Sequence, residues 1–76
     1  MKDAKAIIAE SIARLQKAES PDALRPRIAG EIDMACKLGL ISYQERDATM
    51  NHMIVECVRR RTELHRAKLA RLGVEQ

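Results

Sequence analysis

Two cysteines and two histidines are the side chains of this sequence best suited to redox chemistry or metal binding. No Cys-x-x-Cys or His-Glu-x-x-His spacing brings them together. If the chain turns near Ile41, Cys36 comes to face about Arg46. Cys57 then lies roughly 16 Å further along the next helix, too far away for a disulfide. We therefore expect two core thiols and no metal site.

His52 and His65 are the candidate general bases of the chain. A histidine activates a nucleophile when the two are adjacent and a third group orients the ring, and the sequence offers no such set. The carboxylates are dispersed, and no glycine-rich loop is present to bind phosphate. We therefore interpret the chain as a non-enzyme without a cofactor, with both histidines at the surface or at a dimer interface.

The composition indicates a small helical domain with a thin core. The chain has 76 residues with one Tyr and no Phe or Trp, so the largest core-filling side chains are nearly absent. About half of the residues are Ala, Glu, Lys, Leu or Arg, which is typical of long helices. A single core of this size rarely supplies more than about 3–5 kcal/mol. We predict one all-α domain over residues 1–76 that gains stability from self-association or from a partner.

The first half of the chain contains two predicted helices separated by a proline corner. The first covers residues 3–19 and carries isoleucines and leucine at helical spacing. Ser20 and Pro21 are suited to begin a helix, but Pro26 should interrupt it, so we expect one helical turn at most between them. The second helix covers residues 26–38 and is expected to end at Gly39.

A long third helix is predicted over residues 43–72. The sequence Ser42-Tyr43-Gln44-Glu45 is a capping box, which begins a helix by satisfying two of its free amide groups. No Gly or Pro follows until Gly73. Such a helix is about 45 Å long, which is longer than either of the two helices before it.

Two arrangements are compatible with these three helices. In the first, a helical hairpin, the first two helices follow one another end to end and together lie along the whole third helix. In the second, the three helices form a compact bundle, and the far end of the third helix has no neighbour. Both place an antiparallel turn at residues 38–42, and both leave apolar surface uncovered, so we expect an antiparallel bundle completed by homodimerisation. The predicted core and dimer positions are Ile8, Ile12, Leu15, Ile28, Ile32, Met50, Ile54, Cys57, Val58, Leu64 and Leu69.

The segment around this turn also resembles part of a helix-turn-helix motif. Ala35 and Gly39 have the spacing that the first helix and turn of that motif use. The apolar residue expected six positions after the glycine is replaced by Glu45, which belongs to the capping box. This difference favours a plain helical hairpin over a DNA-reading motif.

Positive charge is concentrated in the last quarter of the chain. The net charge is +3, and residues 57–76 contain six basic and two acidic side chains. Three interpretations compete: a solvated helix end, a docking surface for an acidic protein, and a set of contacts to nucleic-acid phosphates. No aromatic residue accompanies the cluster, which disfavours base stacking and membrane anchoring. The candidate partner-binding residues are Arg59, Arg60, Arg61, Arg66, Lys68 and Arg71.

From these features we predict a non-catalytic regulatory protein that binds another protein with an acidic surface and inhibits it. The alternative is a small DNA-binding transcriptional regulator that uses the same basic helix. No sufficiently long apolar stretch or signal peptide is visible, so we expect a cytoplasmic protein without a membrane partner. The size and build resemble small helical regulators of phages, plasmids and bacteria, which is an analogy of architecture alone.

Overall fold

A computed structural model of the chain describes residues 3–73. They form three helices, α1 (Ala4–Leu15), α2 (Pro21–Lys37) and α3 (Tyr43–Leu72), and no strand occurs within this range. The prediction of an all-α protein with three helices and a long C-terminal helix is therefore confirmed.

Helix α1 begins as expected but ends earlier than the predicted residue 19. The carboxylate of Asp3 accepts a hydrogen bond of 2.8 Å from the amide of Ala6 and caps the first turn. After Leu15, the amides of Lys17 and Ala18 bond three residues back, which tightens and terminates the helix. The fully buried Leu15 is thus the last residue of α1 in the core.

Helix α2 corrects the prediction that Pro26 starts a new helix after a short corner. The helix begins at Pro21 with Ser20 as N-cap, and Pro26 lies inside it. An interior proline costs about 3 kcal/mol in a helix because it lacks an amide hydrogen and its ring crowds the preceding turn. Tertiary contacts hold the first turn in place: Pro21 is buried, and Asp22 contacts two side chains of α3.

The turn between α2 and α3 has the two sequence signals predicted for it. Gly39 adopts φ +74°, and the amides of Gly39 and Leu40 bond to the carbonyls of Cys36 (3.0 Å) and Ala35 (2.9 Å), which is a Schellman ending. The Ser42–Glu45 capping box then begins α3. The apolar residue that packs here is Ile41, which is 6% exposed, whereas Leu40 is 56% exposed.

Polar contacts define how the helices lie beside one another. Ser11 of α1 donates a hydrogen bond of 2.8 Å to Glu31 of α2, so these two helices are side by side and not end to end. Asp33, near the end of α2, pairs with Arg46 at the start of α3 (2.7 Å), whereas Asp22 at the start of α2 pairs with Arg61 further along α3 (3.4 Å). Helices α2 and α3 therefore run in opposite directions.

The core consists of aliphatic side chains from α1, α2 and the turn, together with the sulfur-containing side chains of Met53 and Cys57 from α3. Several predicted positions belong to it, but Met50 and Ile54 are only half-buried against it, and Val58 is 44% exposed. Leu64 and Leu69 are half-buried outside this cluster. The buried apolar residues are Ile8, Ile12, Leu15, Ile28, Ile32, Ala35, Ile41, Met53 and Cys57.

Helix α3 extends beyond the other two helices. Within residues 3–73, no hydrogen bond or ion pair between side chains joins Thr62–Leu72 to α1 or α2. The molecule measures 50 × 24 × 15 Å, and its long dimension corresponds to the length of a 30-residue helix. We call the segment Thr62–Leu72 the overhang.

Candidate interaction surfaces

The three consecutive arginines of α3 are engaged in contacts within the chain. Arg59 pairs with the buried Glu56 at 2.9 Å, one turn earlier in the same helix. Arg60 donates a hydrogen bond of 2.8 Å from Nε to the carbonyl of Ala18, and a longer one of 3.5 Å to the carbonyl of Lys17. Arg61 pairs with Asp22. The triplet therefore points in several directions and does not form one free basic surface.

Arg60 and Arg61 connect α3 to the segment between α1 and α2. The carbonyls that Arg60 contacts follow the end of α1, where backbone acceptors lack partners within the helix. Asp22, which Arg61 contacts, lies in the first turn of α2, where a carboxylate also interacts favourably with the helix dipole. Both arginines thus fasten the bundle, a role that the sequence pattern did not reveal because their acceptors lie about 40 residues away.

The remaining predicted partner-binding residues lie on the overhang. Arg66, Lys68 and Arg71 are exposed, and none of them forms an ion pair with another residue in the range 3–73. At about 100° per residue, Arg66 and Lys68 point to different sides of the helix. The overhang therefore carries positive charge on more than one side, and no polar side-chain contact joins it to α1 or α2 within residues 3–73.

An apolar groove of about 450 Å³ lies between α1 and the first half of α3. Ile8, Ile12 and Ile41 are its buried apolar residues, and Ala9, Ala13 and Ala48 add small side chains that leave space open. A volume of this size is within the range of small-molecule sites. The polar lining residues are Lys5, Gln16, Glu45, Thr49 and His52.

One end of this groove is bordered by the ion pair between Lys5 and Glu45. The hydrogen bond from Lys5, followed by that from the amide of Ser42, lowers the pKa of the Glu45 carboxyl below its ordinary value. The same hydrogen bond and charge raise the pKa of Lys5. Because each of these charges already has a partner, the groove presents mainly apolar contact to a ligand.

The two cysteines differ in their surroundings. Cys36 is half-buried, whereas Cys57 is fully buried and its thiol lies 3.5 Å from Oδ1 of Asp22, to which it donates. Burial, and then the hydrogen bond to this carboxylate, raise the pKa of the Cys57 thiol, so it stays protonated at neutral pH. Over residues 3–73, no group of three or more His, Cys, Asp or Glu side chains is positioned to hold a metal ion.

Exposed apolar side chains occur on all three helices. On the side of α3 that faces away from the bundle, Val55 is 53% and Val58 is 44% exposed. On the other two helices and at the end of α2, Ile7, Met34 and Leu38 are exposed. Val58, a predicted core or dimer position, therefore lies outside the core, and Val55 had no predicted role.

No family model, curated protein or solved structure matches the chain. Among the helices that the structure describes, none combines the length and the apolar character required to cross a membrane.

Proposed function

We propose that this chain is a non-catalytic interaction protein that binds another protein with an acidic surface and inhibits it through the overhang of α3. The observation that carries the proposal is the exposed basic overhang, whose Arg66, Lys68 and Arg71 have no ion-pair partner among residues 3–73. The overhang is the end of a continuous helix, and helical ends without tertiary contacts open readily. Binding to a partner would both order the overhang and neutralise its charge.

The accessible surface reflects the elongated shape of the molecule. The chain exposes 5663 Å², whereas a compact monomer of this mass exposes about 4700 Å². The uncovered side and end of α3 contribute to this larger surface, and they are the parts that a partner would cover under this proposal.

The test is affinity capture from a host extract with two matched variants. The variant R66A/K68A/R71A removes three charges from the overhang, and the control K17A/R27A/K37A removes three exposed charges from elsewhere. We expect an acidic protein to be captured by the native chain and by the control but lost with the overhang variant. Equal capture by all three, or no captured protein, would contradict the proposal.

The DNA-binding alternative predicts a different result. A labelled generic duplex should bind with an affinity that falls steeply between low and physiological salt, because each neutralised phosphate releases a counterion. Because Arg60 is bonded to backbone carbonyls and Arg61 is paired with Asp22, fewer basic side chains are free for phosphates than the sequence had implied. We therefore expect no tight binding at physiological salt in an anisotropy titration, and a tight, salt-sensitive complex would favour the alternative.

We also propose that the chain forms a homodimer, a proposal supported by its thin aliphatic core and by the exposed Ile7, Met34 and Leu38. The monomer has a mass of 8.6 kDa. Light scattering at micromolar concentration should report twice this mass, and the monomer mass would contradict self-association.

A further inference from the structure

The side of α3 that faces away from the bundle carries six residues at alternating spacings of three and four. This is the spacing of positions a and d in a heptad repeat, the positions that pack against a second helix. Met53 and Cys57, which are buried in the bundle, lie on the opposite side of the same helix. We call the six residues the outer stripe: Val55, Val58, Thr62, His65, Leu69 and Leu72.

The outer stripe is uncovered in the part of the chain that the structure describes. Val55, Val58 and Leu72 are 53%, 44% and 64% exposed, and Leu69 is half-buried. Apolar residues thus occupy both ends of the stripe, and Thr62 and His65 lie at its centre. A polar residue at such a position weakens a helix pair but selects its register and partner, so the centre favours a polar residue on the opposing helix.

Basic side chains flank the outer stripe on both sides. If Val55 is taken as position a, the e positions are occupied by Arg59 and Arg66, and the g positions by Arg61 and Lys68. Positions e and g border a helix pair and choose its partner by charge. The ion pairs of Arg59 and Arg61 leave their side chains 64% and 53% exposed, so both can still contact a second helix.

We propose that the outer stripe of α3 docks an α-helix of another protein, one whose apolar residues recur every three and four positions and are flanked by Asp or Glu. This inference rests on the proposed function and adds the surface and the class of partner to it. A second copy of this chain does not fit, because a parallel or an antiparallel pair would bring basic flanks against basic flanks. A helix with acidic flanks would instead form ion pairs with the four basic residues at the e and g positions.

The test uses two synthetic helical peptides of about four heptads, with leucine at a and d except for one asparagine at a central a position. One carries glutamate at its e and g positions and the other carries lysine. Each is titrated into the full-length chain, and binding is followed by fluorescence anisotropy. We expect the acidic peptide to bind and the basic peptide to bind at least ten-fold more weakly, whereas equal binding of both, or binding of neither, would overturn the inference.

Two matched variants locate the binding surface. V55S/V58S removes apolar side chains from the outer stripe, and L40S/Y43S removes two exposed side chains at the turn between α2 and α3, outside both proposed interfaces. Circular dichroism verifies that both variants remain helical. The stripe variant should lose at least ten-fold in affinity for the acidic peptide, and the control should bind as the native chain does. An equal loss in both, or self-association that only the stripe variant abolishes, would overturn the inference.

The same variants separate this inference from the proposed function. If a captured host protein is lost with R66A/K68A/R71A but retained by V55S/V58S, the overhang binds a partner without using the outer stripe, and only the inference fails. If no host protein is captured while the acidic peptide still binds at the stripe, the proposed function fails and the helix-binding surface stands.

Discussion

At the scale of single residues, Arg60 shows how one side chain of α3 connects distant parts of the chain. Its guanidinium is half-buried and donates to two carbonyls at the end of α1. A hydrogen bond from a charged group contributes about 1.5–3 kcal/mol, and its removal also leaves the acceptors without that partner. The stability of the bundle should therefore depend on Arg60 more than on the basic residues of the overhang.

We predict that Arg60→Ala lowers the free energy of unfolding by about 1–3 kcal/mol, measured by urea unfolding followed by circular dichroism. The matched control is Arg66→Ala, which removes an exposed arginine without an ion pair in residues 3–73 and should change stability by less than about 0.5 kcal/mol. If both variants unfold at the same urea concentration, Arg60 has no structural role.

Glu45 should make stability depend on pH in the acid range. The pKa of its carboxyl is lowered in the native state from the ordinary value of 4.5. The charge of Glu45 therefore stabilises the fold fully above pH 4.5, and this stabilisation is lost as the pH falls through the native-state pKa. Glu45→Gln removes the charge but retains a side chain that a capping box accepts. We predict a lower Tm than native at pH 7 and a difference that disappears in acid, followed by thermal circular dichroism. A difference that persists at low pH would assign the effect to the cap and not to the charge.

At the scale of elements, the two interior glycines of the described chain have opposite roles. Gly39 ends α2 with φ +74°, a conformation that costs other residues about 1–2 kcal/mol. Gly30 lies inside α2, and a Cβ added there would meet no atom within 4 Å. No other helix therefore approaches α2 closely at this glycine.

We therefore predict that Gly39→Ala destabilises the protein by about 1 kcal/mol and that Gly30→Ala stabilises it by up to about 1 kcal/mol. Each variant serves as the control for the other, because the chemical change is identical and the backbone conformation differs. Thermal unfolding of the two variants beside the native chain provides the comparison. If the Tm of both variants shifts in the same direction, the assigned conformation of the turn at Gly39 is contradicted.

At the scale of the whole molecule, the protein has a packed bundle and an overhang that lacks a neighbouring helix. Protection from hydrogen exchange follows burial and tertiary contact, and a helical end without neighbours opens readily. We predict that amides of residues 64–72 exchange much faster than those of residues 50–58, measured by mass spectrometry after peptic digestion. Equal protection of the two segments would mean that self-association or a partner already covers the overhang.

Local chemistry in the sequence was sufficient for the all-α class, the bounds of α3, the capping box and the glycine ending of α2. These features depend on residues a few positions apart, so their physical causes are visible in the linear order. The start of α2 was not predictable in this way. The local cost of Pro26 is offset by Pro21 and Asp22, whose contacts are made only when α3 is in place.

The candidate surfaces depended still more on tertiary structure. The sequence determined that positive charge is concentrated near the C-terminus, but Arg60 and Arg61 find their acceptors about 40 residues away, and only folding brings these groups together. The spacing of the outer stripe was present in the sequence, yet α3 carries apolar residues on two sides. Only the packing of α1 and α2 decided that Met53 and Cys57 are covered while Val55 and Val58 remain exposed, because a helix can bury one face against a bundle and must leave the other to solvent or to a partner.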